Sequence, residues 1–145
     1  MNTTYYFSYG SYMSPEKMKK SIPEAILIGP GRLNGYRLTF TAYSELRKRV
    51  GADILPSTQH EVWGLVYKIP AERIAEMDAN KAYPALYNRF EVFIDIGSET
   101  YIAWTYALVN KQDSGQLPTE DYLMLVRSLA EAQGFPETYV QSFLS

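Results

Sequence analysis

Strand-like segments come first in this chain and helical ones last, and that order confines it to the α+β class. Aromatic and β-branched runs read as strands over 4–9, 25–29, 35–43, 51–55, 61–69, 86–96 and 100–109. Helices read over 15–20, 71–79, 119–133 and 136–143. Many strands with few helices at one side predict a curved sheet closing towards a barrel, with sandwich-type packing as the alternative. At 145 residues the chain is long enough for one domain with a real core, and no linker, repeat or low-complexity tract divides it.

Several local signals sharpen this outline. Glu61-Val62-Trp63-Gly64-Leu65-Val66-Tyr67 is apolar nearly throughout, as expected of a central strand buried on both faces. Gly64 within it predicts a bend or a close backbone approach. Gly97-Ser98-Glu99-Thr100, between two strand-like runs, is a hairpin signal. Pro30-Gly31 and Asn34-Gly35 read as turns. Ile74 and Met77 share one face of the second helix. Thr119 reads as the N-cap of the third helix, and Gly134 closes it. Trp63 and Trp104 read as core residues, and Asp53 and Glu61 as solvated charges at strand ends.

The start of the chain is the most suggestive for function. The run Tyr6-Phe7-Ser8-Tyr9-Gly10-Ser11-Tyr12-Met13 ends a strand, and Ser14-Pro15-Glu16 opens a helix. Ser14 suits the N-cap, Pro15 the first helical position, and Glu16 complements the helix dipole. Gly10, Ser11 and Tyr12 then occupy a tight turn whose N–H groups favour a carboxylate or a developing oxyanion. The plainer reading is an ordinary strand–turn–helix connection.

Composition removes several classes of chemistry. Net charge is −2, which gives no footprint for nucleic acid, and Arg47-Lys48-Arg49 reads as a short solvated loop. There is no cysteine, hence no thiolate nucleophile, disulfide or Cys metal site. The single histidine, His60, follows Pro56-Ser57-Thr58-Gln59 and reads as a surface loop residue, so no zinc constellation is expected. No long apolar span or charged-then-apolar leader is visible, so a soluble cytoplasmic protein without membrane or cofactor partners is expected.

In order along the chain, further segments fall into one pattern. They include Gly31-Arg32-Leu33-Asn34-Gly35-Tyr36-Arg37-Leu38, Ala52-Asp53-Ile54-Leu55-Pro56-Ser57 and Met77-Asp78-Ala79. Leu86-Tyr87-Asn88-Arg89-Phe90-Glu91-Val92, Trp104-Thr105-Tyr106 and Gly134-Phe135-Pro136-Glu137-Thr138-Tyr139 follow. With the Tyr6–Met13 and Glu61–Tyr67 runs, this ordered set resembles the γ-glutamylcyclotransferase-like family, including its AIG2-like and γ-glutamylamine branches. The resemblance covers residues 1–145. It implies one α+β domain, a mixed curved sheet closing into a small barrel with flanking helices.

The resemblance also implies a reaction. The α-amine of a γ-glutamyl compound attacks its own γ-carbonyl, forms 5-oxoproline and expels an amine. Such a reaction needs no protein nucleophile, which suits a chain without cysteine. It needs a group to move the proton, and the family uses a Glu in a Leu-Asp-x-x-Glu-Gly segment. The matching segment here is Met77-Asp78-Ala79-Asn80-Lys81-Ala82, so Lys81 holds the Glu position and Ala82 the Gly position. The family's Tyr-Gly-Ser-Asn turn reads Tyr9-Gly10-Ser11-Tyr12. By resemblance, Lys81 is the catalytic position, and Tyr9, Gly10, Ser11, Tyr12, Tyr87 and Tyr106 are substrate-binding residues. A charged Lys81 would repel an α-ammonium and attract an anion. The expected partner is therefore a small γ-glutamyl compound or another anionic ligand. A working cyclotransferase and a non-catalytic binding protein or regulator are the two main readings, and an enzyme using neutral Lys81 as base or Schiff-base amine is a third.

Overall fold

The computed structural model describes residues 2–44, 49–109 and 118–141. Strands β1 (Thr3–Ser8), β2 (Ile26–Ser44), β3 (Arg49–Pro70), β4 (Tyr87–Ile96) and β5 (Glu99–Leu108) form a closed barrel in the order β1-β3-β2-β4-β5. Helices α1 (Pro15–Ser21), α2 (Ile74–Asn80), α3 (Glu120–Ala132) and α4 (Glu137–Gln141) flank it. Neighbouring strands run antiparallel except β1 and β5, which meet in parallel at Tyr6 and Trp104 and close the barrel. The barrel, not the sandwich, is the outcome.

Side-chain alternation splits the core in two. Phe7, Leu33, Ile54, Val62, Val66, Val92, Ile94 and Ala103 pack together inside the barrel. Tyr6, Leu65, Tyr67 and Ile69 face the other way and pack against Met13, Met18, Ile22, Ile74, Met77, Val126 and Ala130. Hence β3 is covered on both faces, and its apolar run needs no polar side. Gly64 sits where β1 lies nearest: a Cβ there would collide with the Ser8 carbonyl oxygen and stand 2.8 Å from the Phe7 ring. Trp63 and Trp104 are half-buried at the edge of the outer core.

Two expected turns lie inside β2 instead. The register of β2 against β3 shifts between Leu27 and Gly29 and again between Asn34 and Tyr36. Gly29 and Gly35 take φ of +152° and +86°. Glycine that could reverse the chain here makes a bulge, and the strand continues because its partner continues too. The second shift leaves residues 57–60 outside the β2 ladder. His60 lies there, exposed, with Nδ1 2.6 Å from Ser57 Oγ. Arg47 and Lys48 lie outside the described residues.

The expectation of solvated strand-end charges fails at Asp53. Because β3 runs unbroken through this position, Asp53 is mid-strand and fully buried. Its Oδ1 accepts the Leu108 N–H at 3.0 Å. Glu61 is half-buried and accepts from Trp63 Nε1 at 2.5 Å.

Capping follows the sequence signals. The Ser14 hydroxyl accepts the Lys17 N–H at the start of α1, and Thr119 accepts from the Tyr122 N–H at the start of α3. At the end of α3, Gly134 takes φ +73°. Its N–H bonds to Glu131 and that of Phe135 to Ala130, satisfying two terminal carbonyls. Gly97 at φ +60° begins the two-residue turn between Ile96 and Glu99. After α2 a turn runs from Lys81 to Leu86, with Ala82 at φ +48° and a cis Tyr83–Pro84 bond.

Two stability predictions follow from these backbones. Gly64→Ala should destabilise the protein by about 1–3 kcal/mol, because the new methyl meets backbone. It should be read as a lower urea midpoint at unchanged slope, and an unmoved midpoint would mean that β1 can back away from β3. Ala82→Gly should stabilise, since left-handed backbone costs an alanine about 1–2 kcal/mol and the greater freedom of unfolded glycine cancels only part of that. A Tm higher by a few degrees is expected, and a lower Tm would overturn it.

Candidate functional site

Of the expected site residues, Tyr12 and Lys81 meet between the ends of α1 and α2, and the Tyr87 and Tyr106 rings lie against Lys81. Tyr9 directly follows β1 and donates its hydroxyl to the Tyr106 carbonyl at 2.6 Å, tying the first turn to β5. The Gly10 carbonyl accepts the Met13 N–H, which closes the short 3₁₀ turn Ser11–Met13. A Cβ on Gly10 would meet Tyr122 Oη at 3.5 Å and Ala52 Cβ at 3.6 Å, ordinary contacts. The protein's own packing therefore does not demand glycine there. The Ser11 side chain is outside the described residues.

Tyr12 is held at both ends. Its carbonyl accepts from the Tyr67 hydroxyl at 2.8 Å, and its own hydroxyl lies 3.1 Å from Ser21 Oγ at the end of α1. Lys17 Nζ sits 5.0 Å from its ring centroid. Tyr12, Met18, Ser21, Ile22, Glu76, Met77, Asn80 and Lys81 line one narrow crevice of about 20 Å³, room for a single water. Tyr12 and Lys81 are thus brought together by the approach of two helix ends.

Lys81 is the C-cap of α2, with its N–H bonded to the Met77 carbonyl at 3.0 Å. A cation suits the negative end of a helix. Its Nζ lies 5.0 Å from the Tyr87 ring centroid and 6.0 Å from that of Tyr106. Both rings offer electron-rich faces to the ammonium. Tyr106 packs edge-on against Tyr6, at 6.1 Å between centroids.

Burial governs the phenols. It pushes the hydroxyls of Tyr6, Tyr9 and Tyr106 well above the ordinary tyrosine range. Asp53 adds to the effect at Tyr9, and the hydrogen bond to Asp78 adds to it at Tyr106. Burial thus favours the neutral phenols, and Tyr9 and Tyr106 donate their hydroxyls.

A second group, in which sequence reading gave Arg89 and Tyr83 no role, gathers on Asp78 behind the Tyr106 hydroxyl. Asp78 Oδ1 accepts from the Tyr106 hydroxyl at 2.7 Å, and Oδ2 pairs with Arg89 Nη1 at 2.9 Å. The Arg89 guanidinium is sandwiched 5.0 Å from the Tyr83 centroid and 4.7 Å from that of Trp104. Its Nε is buried without a hydrogen bond, so the ion pair and the two rings hold it. One signal was available: Arg89 lies two residues from Tyr87, on the same face of a strand. The aromatic partners were not legible, because Tyr83 and Trp104 are far apart in sequence. Glu91 is exposed on β4.

Among the described residues, no three His, Cys, Asp or Glu side chains gather as a metal site. No described helix is long and apolar enough to cross a membrane.

Comparisons with known proteins agree with this architecture. Residues 6–124 match the family model described as Gamma-glutamyl cyclotransferase, AIG2-like. The chain is 25% identical over 142 residues to Gamma-glutamylcyclotransferase of Mus musculus, covering 94% of this chain and 75% of that protein. It is 26% identical over 140 residues to Gamma-glutamylcyclotransferase of Bos taurus, covering 92% and 73%. A solved Gamma-glutamyl cyclotransferase structure shares the fold with a TM-score of 0.88 at 23% identity, over 99% of this chain and 88% of that one. With the match spanning most of its length, the chain belongs to the Gamma-glutamyl cyclotransferase, AIG2-like family.

Proposed function

We propose that this protein binds a γ-glutamyl compound beside the Gly10–Tyr12 turn and that, in its natural form, it lacks the base needed to cyclise that compound at an enzyme's rate. The observation that carries this reading is the placement of Lys81: its ammonium lies against Tyr87 and Tyr106 and lines one crevice with Tyr12. By resemblance to the family segment, this is where a Glu would take the proton from the substrate's α-ammonium.

Chemistry opposes Lys81 as a substitute. A base must be unprotonated, and lysine has an ordinary pKa of about 10.4. Neutral lysine at pH 7 needs a shift of roughly three units, about 4 kcal/mol. Two aromatic faces lie against the side-chain head, a setting that suits a cation. Asp78 is a poor replacement, because both of its oxygens are engaged by Tyr106 and Arg89. Besides Lys81, the turn departs from the family pattern at Tyr12, which stands where the family has Asn. The nucleophile belongs to the substrate, and the turn supplies backbone donors for the oxyanion.

A second reading, a protein that binds an anion other than a γ-glutamyl group, is favoured by Lys17 and Lys81 both lying on the Tyr12 side of the site. The two readings part on one assay. Lys81→Glu, alone and with Tyr12→Asn, should raise the rate of 5-oxoproline formation from a panel of γ-glutamyl amino acids and amines. A correctly placed general base is worth about 10²–10⁴-fold. The double variant is included because the Tyr12 ring occupies space that the smaller Asn would free. Wild-type protein should stay near background. Rapid turnover by the wild type would overturn the proposed loss of reaction, and folded variants that form no 5-oxoproline would favour the anion reading.

A further inference from the structure

Asp78 ties three parts of the fold together. Its carboxylate takes the Tyr106 hydroxyl from β5 and the Arg89 guanidinium from β4, and its carbonyl accepts the Tyr83 N–H at 2.9 Å. Arg89 grips the same turn a second time through the face of the Tyr83 ring, with Trp104 on its other side. Lys81 lies between Asp78 and Tyr83 in the chain. Its ammonium faces the Tyr106 ring, whose hydroxyl Asp78 holds. Between the two anchors, Ala82 is kept at φ +48°, a conformation alanine avoids.

We infer that Asp78 and Arg89 are positioning residues that set the Lys81 side chain against Tyr87 and Tyr106. The inference rests on the reading of Lys81 as the functional position of the site. A lysine side chain is long and freely jointed, so the position of its head depends on its backbone and on the surface beneath it. Asp78 and Arg89 fix both. Arg89, paired with the Asp78 carboxylate, holds the turn through the Tyr83 ring, and Asp78 holds the Tyr106 ring through its hydroxyl. If the ion pair is removed, the strained turn can relax and the lysine head can leave the rings. Charge alone is not sufficient, because a planar guanidinium can lie between two rings while pairing with a carboxylate.

The test reads Lys81 directly and requires no catalysis. In protein labelled with ¹³C at the lysine ε-carbon, the Lys81 signal should lie upfield of exposed lysines through the ring currents of Tyr87 and Tyr106. It is assigned by its disappearance in Lys81→Arg. In Arg89→Gln and in Asp78→Asn, the latter nearly isosteric, that upfield displacement should be lost. The Lys17 signal, displaced by the Tyr12 ring, should remain and so report that the rest of the site is intact. Retention of the Lys81 displacement in either folded variant would overturn the inference, as would simultaneous loss of both lysine displacements, which would mean general loosening. If Arg89→Gln does not fold, Asp78→Asn alone carries the test. In a Lys81→Glu background that forms 5-oxoproline, Arg89→Gln should lower kcat by about 10²-fold, the cost of a misplaced group, with KM little changed. Absence of 5-oxoproline in that background bears on the proposed function alone, since the lysine signal is read without it.

Discussion

The contact between β1 and β3 at Gly64 sets the terms for the rest of the structure. Strand β1 lies so close that only a hydrogen fits on the facing residue. That closeness lets β1 pair with β3 from Thr3 through Ser8 and still reach β5 on its other side. The closed barrel leaves one apolar surface inside and another outside, and the outer one must be covered. The α helices and the 3₁₀ turn after β1 cover it with Met13, Met18, Ile74 and Met77. The candidate site lies in this second layer, where the turn after β1 meets the end of α2.

That location explains the character of the site. It is built from tyrosines because they can belong to the core by their rings and still spend a hydroxyl on a carbonyl or carboxylate. Tyr9 spends its hydroxyl on Tyr106, Tyr67 on Tyr12, and Tyr106 on Asp78. Each bond joins residues distant in sequence, so the phenols double as cross-links between elements. The charges at the site are fewer and more specific: Lys81 at a helix end, and the Asp78–Arg89 pair beneath it.

Much of the fold was legible from alternation and caps, and the failures have a common cause. Ser14, Thr119 and Gly134 act through neighbours within a few residues, so their roles could be read locally. Gly35 and Asp53 could not be read so. Whether Asn34-Gly35 reverses the chain or bulges depends on whether β3 continues opposite it, and the burial of Asp53 follows from the same continuity. At the site, the resemblance drew attention to Tyr12, Lys81, Tyr87 and Tyr106. The sandwich of Arg89 between Tyr83 and Trp104 needed coordinates, because cation–π geometry leaves no spacing rule in a sequence.

Closing the barrel through the parallel contact of β1 and β5 has a consequence for how the chain reaches its native state. Tyr6 pairs with Trp104, and the Tyr9 hydroxyl reaches a carbonyl 97 residues away. Contacts of such long sequence separation form late, since the entropy of a large loop must be overcome before they contribute. On a ribosome, β1 would wait beside β3 with one edge unpaired until β5 had been made. During that interval the exposed edge of β1 would be open to mispairing with another chain. The last of the described strands to be synthesised thus supplies the partner that retires the first one's edge.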